Sequence, residues 1–152
     1  MINEGIKAYE IKLLPCDEFV VKYGFTDVDG NEYLVQLKND AMGPRKSNLG
    51  SSYELTYFVW DEEIKDWSID KIVNSNIFRL TKTVFGEVIT DFLNVRTWIK
   101  SIRFEGIAKE TERKFVKTKR TKLYVRYLTN NPIEGYRLES DMNRISLIKI
   151  VK

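Results

Sequence analysis

Apolar residues alternating at a period of two are the feature that most constrains this chain. Phe19, Val21, Tyr23 and Phe25 lie two apart, and so do Tyr33, Val35 and Leu37. That spacing lines one face of a strand and does not suit a helix, where one face recurs every three to four residues. Asp29-Gly30 stands between the two sets and accepts positive φ, so residues 18–38 read as a β-hairpin. Residues 6–14 read as a strand before it. Tyr53, Leu55, Tyr57 and Val59 form another, which runs into Asp61-Glu62-Glu63, and Trp67 and Ile69 open a return strand. Residues 39–52 carry two Gly, one Pro, three Ser and two Asn without periodicity, a long loop of the kind that is often functional.

The second half changes period. Val84, Phe85, Val88, Ile89, Phe92 and Leu93 recur as a narrow helical stripe, with Thr81 or Thr83 as the expected N-cap. Gly86 lies inside it and weakens the helix by about 1 kcal/mol against Ala, unless something packs closely there. Residues 98–107 read as a strand, Thr111 caps a second helix stopped by Asn130, Asn131 and Pro132, and residues 144–151 form a closing strand. The expectation is a single α+β domain over 1–152. It consists of an antiparallel sheet of five to seven strands and two helices, about 83–95 and 111–128, on one face.

Composition narrows the chemistry. With 152 residues, 19 of them aromatic, the chain has material for one well-filled core. Histidine is absent, which removes His-activated nucleophiles, imidazole general bases and imidazole metal ligands. The lone Cys16 makes no internal disulfide and no CxxC knuckle. Charges interrupt every apolar stretch of the N-terminus, so neither a signal-peptide core nor a membrane span is expected, and a reducing interior is. No catalytic, cofactor or metal constellation emerges, and a non-enzymatic protein is the expectation.

Charge is uneven. Lys109 to Arg126 holds eight basic and two acidic residues, while the rest of the chain has 17 and 20. Concentrated cations suggest phosphate contacts. On a helical wheel they spread around most of the circumference, so a solvated helix is the competing reading. Arg120 falls on the apolar side of that wheel, where a guanidinium needs a partner. It is expected either to clamp the helix to the sheet or to reach an anion. Asp27-Val28-Asp29-Gly30-Asn31-Glu32 superficially resembles a calcium loop. Aligned on Gly30, it puts Phe25 and Gln36 at ligand positions, so a turn is the better reading. Gly43-Pro44-Arg45-Lys46-Ser47 lacks the glycine a phosphate loop needs before its lysine. The acidic group Asp61, Glu62, Glu63 and Asp66 reads as a solvated turn.

The order of Tyr53-Glu54-Leu55-Thr56-Tyr57-Phe58, Thr83-Val84, Ile102-Arg103-Phe104, Ala108, Arg120-Thr121-Lys122-Leu123-Tyr124-Val125-Arg126 and Gly135-Tyr136 resembles a group of small tailed-bacteriophage proteins. In that group a strand of the I-x-F type precedes a helix carrying R-x-x-L-Y-x-R. The resemblance spans roughly residues 53–137 and leaves the first fifty unmatched. It implies viral origin and a place in host cytoplasm or virion, and it implies no activity.

Two functional expectations follow. The first is binding to another protein, from phage or host, through the 39–52 loop, with Met42, Leu49, Tyr53 and Trp60 as the apolar contact. The second is nucleic-acid binding through Arg45, Lys46, Lys114, Lys117, Lys122 and Arg126. Neither involves a membrane, and both leave room for an oligomer.

Overall fold

A computed structural model describes residues 7–41, 49–68, 76–105 and 119–150. Eight strands make one sheet: β1 Lys12–Leu13, β2 Val20–Thr26, β3 Glu32–Asn39, β4 Ser52–Asp61, β5 Asp66–Ser68, β6 Ser101–Glu105, β7 Tyr136–Asp141 and β8 Arg144–Lys149. Their order is β1-β2-β3-β4-β6-β8-β7, with β5 also paired to β4. The chain is α+β as expected, but the described residues form eight strands and their sheet is mixed. β4 and β6 run parallel over Ser52–Glu54 and Ser101–Arg103. A parallel pair needs a crossover, and the first helix supplies it.

The expected hairpin of β2 and β3 forms, with Val21 opposite Leu37, Tyr23 opposite Val35 and Phe25 opposite Tyr33. Its turn is held by Asp27, whose carboxylate accepts bonds from the Asp29 and Asn31 N–H groups, the Asn31 amide and the Tyr33 hydroxyl, each at 2.9 Å. Gly30 takes φ +84°, which a Cβ would strain. Burial pushes the Asp27 carboxyl upward, but the bonds from Asn31, Tyr33 and Asp29 outweigh it and hold the group below the usual carboxylate range.

The first helix starts earlier than its apolar stripe. Asn76, not Thr81 or Thr83, is the N-cap, its side chain accepting from the Phe78 and Arg79 N–H groups. Both threonines lie inside the helix and donate one turn back, to the Ile77 and Arg79 carbonyls. The helix runs Ile77–Thr81, widens to π geometry over Lys82–Val88 and returns to α over Ile89–Asn94. Gly86 sits in the widened stretch, and a Cβ built there would lie 2.6 Å from the Tyr127 hydroxyl oxygen. The expected close packing is therefore real: the second helix, Lys119–Asn130, approaches at this glycine. The expected helix start at Thr111 falls outside the described residues. Of the strand expected over 6–14, the described residues form the two-residue β1, and Leu14 adds one bond from its N–H to the Lys22 carbonyl at 2.9 Å. Tyr9 instead docks on the first helix, donating its N–H to Thr83 Oγ1 at 2.9 Å. Strand β7 has no counterpart in the periodicity reading.

Both helices cover one face of the sheet. Phe85 packs against Phe104 of β6 and Tyr124 of the second helix, with centroids 4.6 and 4.7 Å apart, and Phe92 meets Tyr53 edge-on at 4.9 Å. One core runs from Tyr9 to Leu147. The other face of the sheet carries no described helix.

Candidate binding surface

Strand periodicity decides what the uncovered face presents. Along β4, Tyr53, Leu55, Tyr57 and Val59 point to the helices, so Glu54, Thr56, Phe58 and Trp60 point away. The same rule puts Leu34 of β3 and Gly24 of β2 on this face, in one cross-strand row with Phe58. Leu34 is 9% exposed yet lies outside the main core. Leu14 lies over Gly24, with its Cδ1 atom 3.3 Å from where a Cβ would stand. A second, smaller apolar layer therefore forms on the open face.

At its rim stands an ordered aromatic pair. Trp60 and Trp67 are direct cross-strand partners, with centroids 5.3 Å apart in an edge-on arrangement, and both are half-buried. The Trp60 indole N–H donates to Glu62 at 2.8 Å, and Glu62 is also ion-paired with Lys65. Lys65 itself takes φ +53°, closing the turn between β4 and β5. The tip carries Asp61, Glu62, Glu63 and Asp66 against Lys65 alone, and it leaves Ile64 60% exposed. These acids form the expected solvated turn. Among the described residues, no group of three or more His, Cys, Asp or Glu is placed to hold a metal ion.

The far end of the same face is polar and internally satisfied. Arg103 grips Asp40 through two bonds of 2.7 and 2.8 Å and reaches Glu54 at 3.5 Å. The Asp40 bond is the main reason its guanidinium is held above its ordinary range.

The structure separates the residues expected to meet a partner. Tyr53 is fully buried, its hydroxyl donating to the Glu18 carbonyl at 2.6 Å, so it is a core residue and not a contact. Trp60 is seven positions along the same strand and faces the opposite way, so the two never share a surface. Leu49 is half-buried beside Gly50, and Met42 lies outside the described residues. The ends of the 39–52 loop are pinned. Asn39 is buried, its Oδ1 accepts from the Ala41 and Gly50 N–H groups, and its Nδ2 donates to the Gly50 carbonyl.

Of the cations, Arg45, Lys46, Lys114 and Lys117 lie outside the described residues. Lys122 and Arg126 are exposed one turn apart on the second helix. Arg120 is half-buried. Among the described residues, no carboxylate or carbonyl pairs with it, so the expected clamp is not found there. The buried guanidinium is instead Arg96, which binds Glu18 through Nε and Nη2 at 2.9 and 2.8 Å, donates to the Phe92 carbonyl and lies over the Phe92 ring.

Sequence reasoning passed over Phe58, Leu34 and Trp67 as surface residues. The signal was present: once the odd positions of β4 are assigned to the core, Phe58 and Trp60 are large apolar groups on the wrong face. Comparison with protein-family models, with curated proteins and with solved structures returns no match.

Proposed function

We propose that this chain is a non-enzymatic binding protein that engages another protein through the Trp60–Trp67 hairpin and the open-face row beside it. The observation that carries this reading is the ordered tryptophan pair on a face without a described helix, rimmed by acids. Tryptophan contributes more per residue than most side chains at protein interfaces, and preordering by a cross-strand partner lowers the entropy lost on binding. The acidic rim favours a partner with an apolar patch edged by lysine or arginine, and it repels a phosphate backbone. The likeness to small tailed-phage proteins motivates placing this encounter in a host cytoplasm or a virion.

Affinity capture from expressing cells tests it, with intact protein and a Trp60→Ala/Trp67→Ala variant, each with and without nuclease. A partner recovered by the intact protein, lost with the variant and indifferent to nuclease is the expected result. Equal recovery by both proteins would refute the assignment. The second reading, nucleic-acid binding, rests on Lys122 and Arg126 projecting one turn apart. It requires binding that nuclease abolishes and that weakens steeply with salt, by roughly one log–log slope unit per phosphate contact.

A further inference from the structure

Among the described residues, strand β7 is the last strand of the sheet on its side, and its backbone alternates between two directions. The Ile150 N–H donates to the Gly135 carbonyl at 2.8 Å, so Gly135 faces β8. Alternation then turns Arg137, Glu139 and Asp141 toward β8 as well, and turns Tyr136, Leu138 and Ser140 outward. The Tyr136 N–H is taken by the Ile133 carbonyl. The Tyr136 carbonyl and both backbone groups of Leu138 and Ser140 have no partner among the described residues. An edge of this kind is a template for another strand.

The side chains select which strand. Arg137 and Glu139 project on the open face, where they pair with each other at 2.8 Å, and Leu138 packs against the core on the helix side. Suppose a second copy of β7 runs antiparallel across a two-fold axis. Centring the axis on Arg137 opposes two arginines, and centring it on Glu139 opposes two glutamates. Centring it on Leu138 opposes Arg137 with the partner's Glu139, and Glu139 with the partner's Arg137. It also brings the Leu138 N–H and carbonyl onto those of the other copy, and the Ser140 N–H onto the other Tyr136 carbonyl. The charged pairs then occupy the non-hydrogen-bonded positions, where side chains approach most closely.

We infer that β7 is a self-complementary edge through which two copies of this chain associate, with Leu138 on the two-fold axis and one sheet running through both. This contact is separate from the tryptophan hairpin, and either can fail without the other.

Sedimentation of the full-length chain over a concentration series reaching about 1 mM tests it, a range suited to a small interface. The intact protein should pass from monomer to dimer. Ser140→Pro removes an outward N–H without touching the β8 ladder, so it should stay monomeric with an unchanged melting temperature. Arg137→Glu should weaken association by about tenfold or more by opposing like charges. Arg137→Glu/Glu139→Arg should restore it, because the swapped charges are complementary again. An intact protein that stays monomeric, a Ser140→Pro protein that dimerises like the intact one, or a charge swap that fails to rescue would each overturn the proposal.

Discussion

Gly86→Ala is a substitution whose sign depends on one distant oxygen. In an ordinary exposed helix, replacing glycine with alanine stabilises by about 1 kcal/mol. Here the new methyl would stand 2.6 Å from the Tyr127 hydroxyl oxygen and 3.7 Å from Tyr127 Cζ. The first distance is a collision and the second is ordinary contact, so the conflict lies in a single atom. Tyr127 is 8% exposed, which leaves its ring little room to swing aside. Overpacking of this kind costs about 1–3 kcal/mol, so the net effect should be a loss of about 1 kcal/mol. Tyr127→Phe removes the obstructing oxygen, and in that background the same alanine should stabilise by about 1 kcal/mol. The double-mutant cycle should therefore return a coupling of about 2 kcal/mol. Urea unfolding of the four proteins measures it, with melting shifts of about 2–4 °C per kcal/mol as a cross-check. If alanine stabilises in both backgrounds, Tyr127 is not what keeps this position glycine.

Two further outcomes follow from buried charge. Asp27 has its folded-state pKa below its unfolded value, so its contribution is fully present above about pH 4, the unfolded carboxylate range, and fades as pH falls through the folded value. Asp27→Ala should cost about 2–3 kcal/mol near neutrality and flatten the acid limb of a stability–pH profile, and an unchanged acid limb would contradict the account. Arg96→Ala strands Glu18 and frees the Phe92 carbonyl. It should cost about 1–3 kcal/mol by chemical denaturation, below the loss for a fully buried pair because Glu18 is half-exposed. A loss under about 0.5 kcal/mol would mark the pair as an ordinary surface bridge.

The helix-covered face was legible in the sequence because burial on one side of a strand imposes strict alternation. The hairpin of β2 and β3 followed from it directly. Strand β7 was not legible, since Tyr136 and Leu138 are its only large apolar residues and an edge strand needs little more. The helix start was hidden because Asn76 precedes the stripe that announced the helix, while Thr81 and Thr83 mimic caps from within. Grouping Tyr53 with Trp60 took nearness along the chain for nearness in space, and seven positions in a strand reverse the face. Arg120 and Arg96 show the same limit: a wheel locates a charge on the apolar side, but only tertiary contacts say which guanidinium finds a carboxylate.

Because β4 carries β6 on its first residues and β5 on its last, the sheet is two leaves joined by a short seam. One leaf holds β1 to β5 and the tryptophan hairpin, and the other holds β6, β8 and β7 with its open edge. The seam is a parallel ladder of three residue pairs, and the first helix bridges it from the covered face. Phe92 rests on the first leaf, at Tyr53, and Phe85 on the second, at Phe104. Phe85 lies within the widened stretch, and Phe92 in the regular turns that follow it. One helix thus spans the seam, so a strand or partner added at either rim loads a leaf that this helix ties to the other.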